Sequence, residues 1–524
     1  GSKAVTVEIF DDSASPQPVC SAYASPVASQ VVTFVPTDLG RKTTAAFTIN
    51  NAYTKLRCRA RDTVAVYGCS TDYFAVRPRQ FALSTTTALN PASNTLKAGA
   101  DFNLTASAGV PGGYVTTANT PAADVAKIVD HSGAVISTGA WTGSFAGATG
   151  SNAVGTFQYG DVGNITLNAD AVLDTTFTSI DSVGLSPADC VVGSASNTPS
   201  SGPSSGRYGC NVGSASLGPL GRFYPDHFAV AGVSFTPACS SGTTAFSYMD
   251  QPFPSVFTAT IEARNRNDTK TSRYTGTTYA TGVVSVQIEN NNNGIALANT
   301  RLTKVSGTGN WLNGAYDFAT DKFTRPATGV DGPYTSLAIG VSVTDEPSLA
   351  SAARPYLIDR DMDATTLACT ADTTGKSDGS CTAITLATIN ERYGRFRMAN
   401  AFGSELLPLT MVAQAEYYSS TGWVLNTDDN CTTLASPLAS PQALSPSGST
   451  ALTCGGATCT TATPVVAGDL RFKLDTPAPI PSPGYADIQL DVPAWLEFPW
   501  ATSNDPKARA TFGIYKGNQR LIYR

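Results

Sequence analysis

Apolar and polar residues alternate with period two along most of this chain. Phe102, Leu104, Ala106 and Ala108 interleave with Asn103, Thr105 and Ser107, and Phe257, Ala259, Ile261 and Ala263 with Thr258, Thr260, Glu262 and Arg264. Successive strand residues point to opposite faces, so each run reads as a strand with one buried face. Val284, Val286 and Ile288 follow the same rule, as do Leu337 to Val343, Leu409 to Ala413 and Ile488 to Val492. No run of helical period is long enough to compete, and Gly, Pro, Asn and Asp punctuate the strands. The pattern predicts an all-β fold: an elongated array of tandem immunoglobulin-like β-sandwich domains, stapled by disulfides.

An internal repeat divides the array. Asp72-Tyr73-Phe74-Ala75-Val76 is answered by Asp226-His227-Phe228-Ala229-Val230; Phe81 and Phe235 follow at the same offset, and then the strands beginning at Phe102 and Phe257. Matched landmarks in one order mark a duplicated module. A weaker echo joins Gly221-Arg222-Phe223 to Gly394-Arg395-Phe396. The expected domains are 1–71, 72–225, 226–390 and 391–524. Tyr159-Gly160-Asp161-Val162-Gly163 reads as a scaffold corner entering a late strand, and 191–220 as a polar surface loop or linker tied at its base.

Composition narrows the function classes. Of 524 residues only 14% are charged, against about 25% in average soluble proteins, and the net charge is −6. No basic stripe offers itself to nucleic acid or an anionic membrane surface, and no apolar run approaches the roughly 20 residues of a membrane helix. Gly1-Ser2-Lys3 has no apolar targeting core, so a secretion signal is expected upstream of residue 1.

Eleven cysteines lie mostly in polar loops, a pattern of disulfides in an oxidising compartment. Short separations set apart Cys58 and Cys69, Cys190 and Cys210, Cys369 and Cys381, and Cys454 and Cys459. The expected bonds are Cys190–Cys210, Cys369–Cys381 and Cys431–Cys454, with Cys69 joined to Cys58, the nearer along the chain, rather than to Cys20. Cys20, Cys239 and Cys459 have no assigned partner. None of these pairs is CxxC, and neither His131 nor His227 lies near a cysteine cluster, which disfavours zinc.

Candidate chemistry is sparse. Asp130-His131-Ser132 spells the triad letters, but strand neighbours face opposite ways and triads assemble from separated segments. His227 occupies the repeat slot of Tyr73 and reads as a strand residue. Nucleophile-elbow, zinc-protease and phosphate-loop motifs are missing, and no carboxylate pair stands out for glycosidase work. Asp359, Asp361 and Asp363, at alternate positions, are the candidate Ca²⁺ ligands, since that ion takes several hard oxygens; a solvated acidic edge is the alternative. Asp428-Asp429-Asn430 is a weaker candidate of the same kind. Tyr417, Tyr418 and Trp423 lie in a turn-rich stretch and are the candidate glycan contacts.

The C-terminal stretch Pro493-Ala494-Trp495-Leu496-Glu497-Phe498-Pro499-Trp500, followed by Asp505 to Gly517 (DPKARATFGIYKG), resembles the closing signature of MshQ-like proteins. The runs CSTDYFAVRP from Cys69, GRFYPDHF from Gly221, FGSEL from Phe402 and WVLNTDDNCT from Trp423 are similar to that family too. These are large surface proteins associated with the mannose-sensitive haemagglutinin type IV pilus of Gram-negative bacteria. The resemblance implies a secreted, disulfide-bearing, non-enzymatic stalk or adhesin. Its expected partners are pilin or minor pilins, with host or surface glycans as candidates. A pilus assembly or tip-capping factor without glycan binding is the alternative, and a carbohydrate-active enzyme the second. A lectin-like domain that some relatives carry upstream is absent from these residues.

Overall fold

The computed structural model describes residues 1–64, 66–86, 96–109, 114, 121–182, 188–202, 206–304, 309–350, 353–357, 360–362, 383–434, 442–443, 451–452, 463–500 and 503–513. Two compact units emerge, one of residues 1–226 with 263–279, the other of 227–262 with 280–524.

The first unit opens with an antiparallel sheet in which Lys3–Asp11 lies between Ala28–Phe34 and Tyr53–Asp62, the last pairing in turn with Tyr67–Cys69 and Phe74–Val76. A sandwich follows. One sheet runs Trp141–Phe145, Asn152–Tyr159, Asp101–Ser107, Ala82–Thr85; the other runs Ile128–Asp130, Gly163–Leu167, Leu217–Tyr224, Leu96–Lys97. The alternation works as read: Phe102, Leu104, Ala106 and Phe157 point inward from the first sheet and meet Ile128, Ile165, Leu167, Leu220 and Phe223 from the second in one core. At the corner read from Tyr159 to Gly163, Gly163 has φ +98°, and a Cβ there would lie 2.5 Å from His131 Nδ1. Only glycine fits that position without a shift.

The second unit repeats the strand order. His227–Ser234, Phe257–Arg264, Ala315–Phe323 and Leu302–Lys304 follow one another in one sheet, and Val283–Asn290, Tyr334–Thr344, Ala383–Arg392 and Ser247–Tyr248 in another. In each copy a two-residue strand pairs in parallel with the last long strand, Leu96 opposite Phe223 and Ser247 opposite Glu391. A parallel partner so short is an uncommon solution, and its recurrence shows the duplicated module in the backbone itself. A third sandwich closes the unit. Gly394–Ala399, Leu409–Ser419, Gly422–Leu425 and Asp469–Leu474 form one sheet, and Ala401–Gly403, Lys507–Phe512 and Gly484–Gln489 the other. Phe396, Met411, Phe472, Ile488, Leu490 and Phe512 fill the space between, joined by Cys239, Phe246 and Tyr248 from the preceding module. The helices among the described residues are single turns, and no helix is long and apolar enough to cross a membrane. The fold is all-β, built of tandem sandwiches.

Three disulfides among the described residues staple it. Cys190 bonds Cys210. Cys69 bonds Cys20, 49 residues away, and Cys58 is free and half-buried; the expected Cys58–Cys69 bond is corrected here. The reason is strand register: Cys69 lies opposite Arg59, so the side chain of neighbouring Cys58 leaves the sheet on the other face. Cys431 bonds Cys239 across 192 residues, which corrects the expected bond to Cys454. Cys369, Cys381, Cys454 and Cys459 lie outside the described residues.

Candidate functional site

In the first unit, Phe74–Val76 ends as the chain reaches Arg77-Pro78, where proline supplies no N–H to continue a ladder. The loop closed by Cys190–Cys210 folds against this point. Arg77 holds it there: Nε donates to Gly209 O at 2.8 Å, Nη2 to Ser196 O at 2.8 Å and Nη1 to Asn197 Oδ1 at 3.1 Å. Thr178 Oγ1 donates to Cys210 O at 2.6 Å, and Arg207 Nη1 to Ala188 O at 2.6 Å. Between the two segments lies a cavity of about 540 Å³, lined among others by Arg77, Arg79, Asp181, Asp189, Asn197 and Tyr208. Small-molecule sites measure about 300–1,000 Å³.

Its chemistry is mixed. Asp181, 7% exposed, accepts the Ala75 N–H on both oxygens at 3.1 Å. Burial pushes its carboxyl up to about 6, the Ala75 bond opposing and the Asp189 and Asp72 carboxylates adding to the rise. Arg79 and Asp189 are exposed at the rim, and Tyr208 is 50% exposed. Donors, acceptors and one aromatic face thus border a single space on a disulfide-braced frame. The segment read as a surface loop or linker is one wall of it. None of these residues carries a motif; the available signal was a paired-cysteine loop flanked by Asp189 and Arg207 in an otherwise uncharged Ser/Gly tract.

The residues singled out from sequence are dispersed. Asp130 is committed to its own turn, accepting from Ser132 N and Oγ and Ala134 N, and to an ion pair with Arg273. Burial works to raise its carboxyl, but the Ser132 and Arg273 hydrogen bonds prevail and bring it to about 2. His131 packs on Tyr279 with ring centroids 3.9 Å apart, and burial draws its pKa down. The three letters do not converge on a nucleophile. His227 is buried and stacked on Tyr356 at 5.2 Å.

Asp428 and Asp429 are taken up by protein partners. Asp428 accepts from Thr243 Oγ1 at 2.6 Å and pairs with Arg392 at 2.8 Å; Asp429 accepts from Tyr248 OH, Thr432 N and Thr432 Oγ1 at 2.8–2.9 Å. Asp359 and Asp363 lie outside the described residues, and Asp361 falls in the strand Arg360–Met362. Among the described residues no group of three or more His, Cys, Asp and Glu is placed to hold a metal.

Tyr418 and Trp423 are a cross-strand pair with rings 5.7 Å apart. The Arg395 guanidinium lies 3.9 Å from the Trp423 ring centroid, and Tyr393 and Phe498 close on its edges at 6.0 and 5.1 Å. Trp423 is therefore packed by Tyr418 and Arg395 of its own sheet and by Tyr393 and Phe498 from outside it, as cation–π and edge contacts favour. Tyr417 leaves the same strand on the opposite face, against Arg392.

Residues 192–373 match the third domain of DUF6701, and residues 392–524 match its fourth domain. The two matches are to successive domains of one family and follow one another along the chain. The third DUF6701 domain begins inside the Cys190–Cys210 loop, so Asn197 and Tyr208 fall within it, and the fourth begins where Ala383–Arg392 ends. No curated protein matches the chain. Solved structures with some likeness include the Escherichia coli adhesin FdeC, at 10% identity and TM-score 0.30 over 82% of this chain and 96% of that one. A tetra-tandem repeat from the extending region of a large adhesion protein shows 9% identity and TM-score 0.27 over 97% and 92%. The Yersinia pseudotuberculosis adhesin InvE shows 12% and 0.19 over 54% and 58%.

Proposed function

We propose that this chain is a non-enzymatic extracellular protein of the Gram-negative cell surface, a stalk or adhesin in the manner of pilus-associated MshQ-like proteins. The observation that carries the reading is the Cys239–Cys431 bond, which fastens the duplicated sandwich to the terminal one across 192 residues. Disulfides persist in oxidising compartments, and a covalent tie between successive modules suits a protein that must stay assembled under load outside the cell. Repeated modules lengthen a surface protein without adding an active site. In this reading the cleft beside Tyr208 is the ligand-contacting part and the sandwiches are its support.

Surface labelling of native cells, followed by capture with the purified chain, tests the proposal. Recovery of pilin or minor pilins together with adherence of the chain to target cells supports a pilus-associated adhesin. Capture of pilins without any adherence supports the assembly or tip-capping role instead. Turnover of any member of a sugar panel overturns the non-enzymatic reading.

A further inference from the structure

We propose that the cleft between residues 75–79 and residues 189–197 and 206–210 around the Cys190–Cys210 bond binds a neutral saccharide, Arg79 and Asp189 taking its hydroxyls and the Tyr208 ring its apolar face. This deepens the adhesive reading and rests on it. The argument runs through the charge balance of the walls. Two carboxylates, Asp181 and Asp189, and three guanidinium groups, Arg77, Arg79 and Arg207, border one cavity of about 540 Å³. A phosphate, sulfate or carboxylate ligand would meet the two aspartates, and a cation would meet the three arginines, so either is opposed at close range. A hydroxyl both donates and accepts, and a molecule bearing several, with no net charge, satisfies both kinds of wall at once.

Availability separates framework from contact groups. Arg77 spends its guanidinium on Gly209, Ser196 and Asn197, and Arg207 reaches Ala188 O; these two build the cleft. The side chains of Arg79 and Asp189 are exposed, and neither makes an ion pair with a described residue. Tyr208, 50% exposed, presents an amphipathic ring with little rotamer freedom to lose, the kind of group that anchors recognition. Asp181 keeps its carboxyl against the Ala75 N–H; its upward shift to about 6 supplies a proton donor below that pH and an acceptor above it. The Cys190–Cys210 bond and the Arg77 clamp hold the wall in place before a ligand arrives, which reduces the ordering lost on binding.

The test uses the full chain on an array of short neutral hexose and N-acetylhexosamine oligosaccharides, with sialylated and sulfated counterparts, and in parallel on adherence to intact target cells. Binding to one or more neutral oligosaccharides that falls about ten-fold or more in Tyr208→Ala and Asp189→Asn, with unchanged melting temperature, supports the proposal. So does a parallel fall in adherence. Both side chains are exposed, so loss of fold is not the expected outcome; Tyr418→Ala changes the rival glycan contact read from the sequence, and the proposal expects it to bind as wild type. Neutral-sugar binding lost in Tyr418→Ala but kept in Tyr208→Ala overturns the cleft assignment while the adhesive reading stands. Adherence to cells without any sugar binding, or cleft-dependent capture of peptides or sulfated sugars alone, overturns the saccharide class and again leaves adhesion standing. No adherence and no sugar binding overturns both.

Discussion

Arg59 sits directly across the ladder from Cys69, and its guanidinium forms a buried ion pair with Glu8 at 2.8 Å. On the face that Arg59 shares with Cys69, the same guanidinium donates to Cys20 O and Tyr23 O at 3.1 and 2.8 Å. It thereby carries the single turn Cys20–Ala22 to the place where Cys20 meets Cys69. Non-reducing peptide mapping should recover the Cys20–Cys69 peptide and find Cys58 alkylated under denaturation. Cys69→Ser should remove about 2–4 kcal/mol of stability, the usual worth of such a closure, and Cys58→Ser should change it by less than about 1 kcal/mol. A recovered Cys58–Cys69 peptide would refute the register.

The bond between Cys239 and Cys431 closes a far longer loop, and in the chain-entropy account a loop of about 100 residues or more is worth near 5 kcal/mol. Beside it, Tyr248 OH, Asn426, Asp429 and Arg392 form a buried hydrogen-bonded set. Cys239→Ser is expected to lower the denaturant midpoint more than Cys190→Ser, whose partner is 20 residues away. Equal midpoints would show that the unfolded chain gains little from the tie.

Glu391 poses a pH question. It is 0% exposed, neither carboxylate oxygen has a hydrogen-bond partner, and burial pushes its carboxyl well above the ordinary value, with Arg301 opposing. The folded chain therefore holds a proton that the unfolded chain releases above about 4.3. By linkage, its contribution is fully present below that pH and is lost as pH rises toward the folded value. Each unit in that window corresponds to about 1.4 kcal/mol. Glu391→Gln, which cannot ionise, should melt with wild type near pH 4 and above it at pH 7. A constant difference across that range would exclude ionisation as the cause.

How much of this was legible beforehand depends on the range of the interaction. The burial of Phe102, Leu104 and Ala106 follows from period two, a local property, whereas the matched pentapeptides mark the repeat without sharing a slot: Phe74–Val76 pairs with Tyr53–Asp62, and His227 and Phe228 pair with Tyr356 and Leu357. Cys58 failed because nearness along the chain says nothing about which sheet face a side chain leaves. Cys239 stayed unassigned because its partner belongs to another sandwich. The cleft was invisible for a related reason: Asp181 and Tyr208 become neighbours of Ala75 and Arg79 only after more than 100 intervening residues have folded into a sandwich. Trp423 shows the converse. Its turn-rich surroundings suggested an exposed ring; Arg395, two strands away in the same sheet, lies 3.9 Å from its centroid and the residue is half-buried.

Arg273 anchors the segment 263–279 in the first unit through Asp130 and Asp161. Ser272 Oγ and Arg273 N add hydrogen bonds to Asp161 at 2.8 and 3.0 Å. Both carboxylates are buried, so removing the guanidinium leaves two like charges without their cation, the situation in which breaking a buried pair costs about 3–5 kcal/mol. Arg273→Ala should approach that loss at pH 7. Arg273→Lys keeps the charge but not the fork and should recover part of it. The acid limb supplies a second reading of the same site. Asp130 is held down to about 2 against roughly 3.9 in the unfolded chain, so its contribution is present above 3.9 and disappears as pH falls toward 2. In Arg273→Ala that limb should be shallower, because the Asp130 carboxyl has lost one of the donors that hold it ionised. An acid limb of equal steepness in the two proteins would place the origin of the depressed value in the Ser132 and Ala134 turn alone.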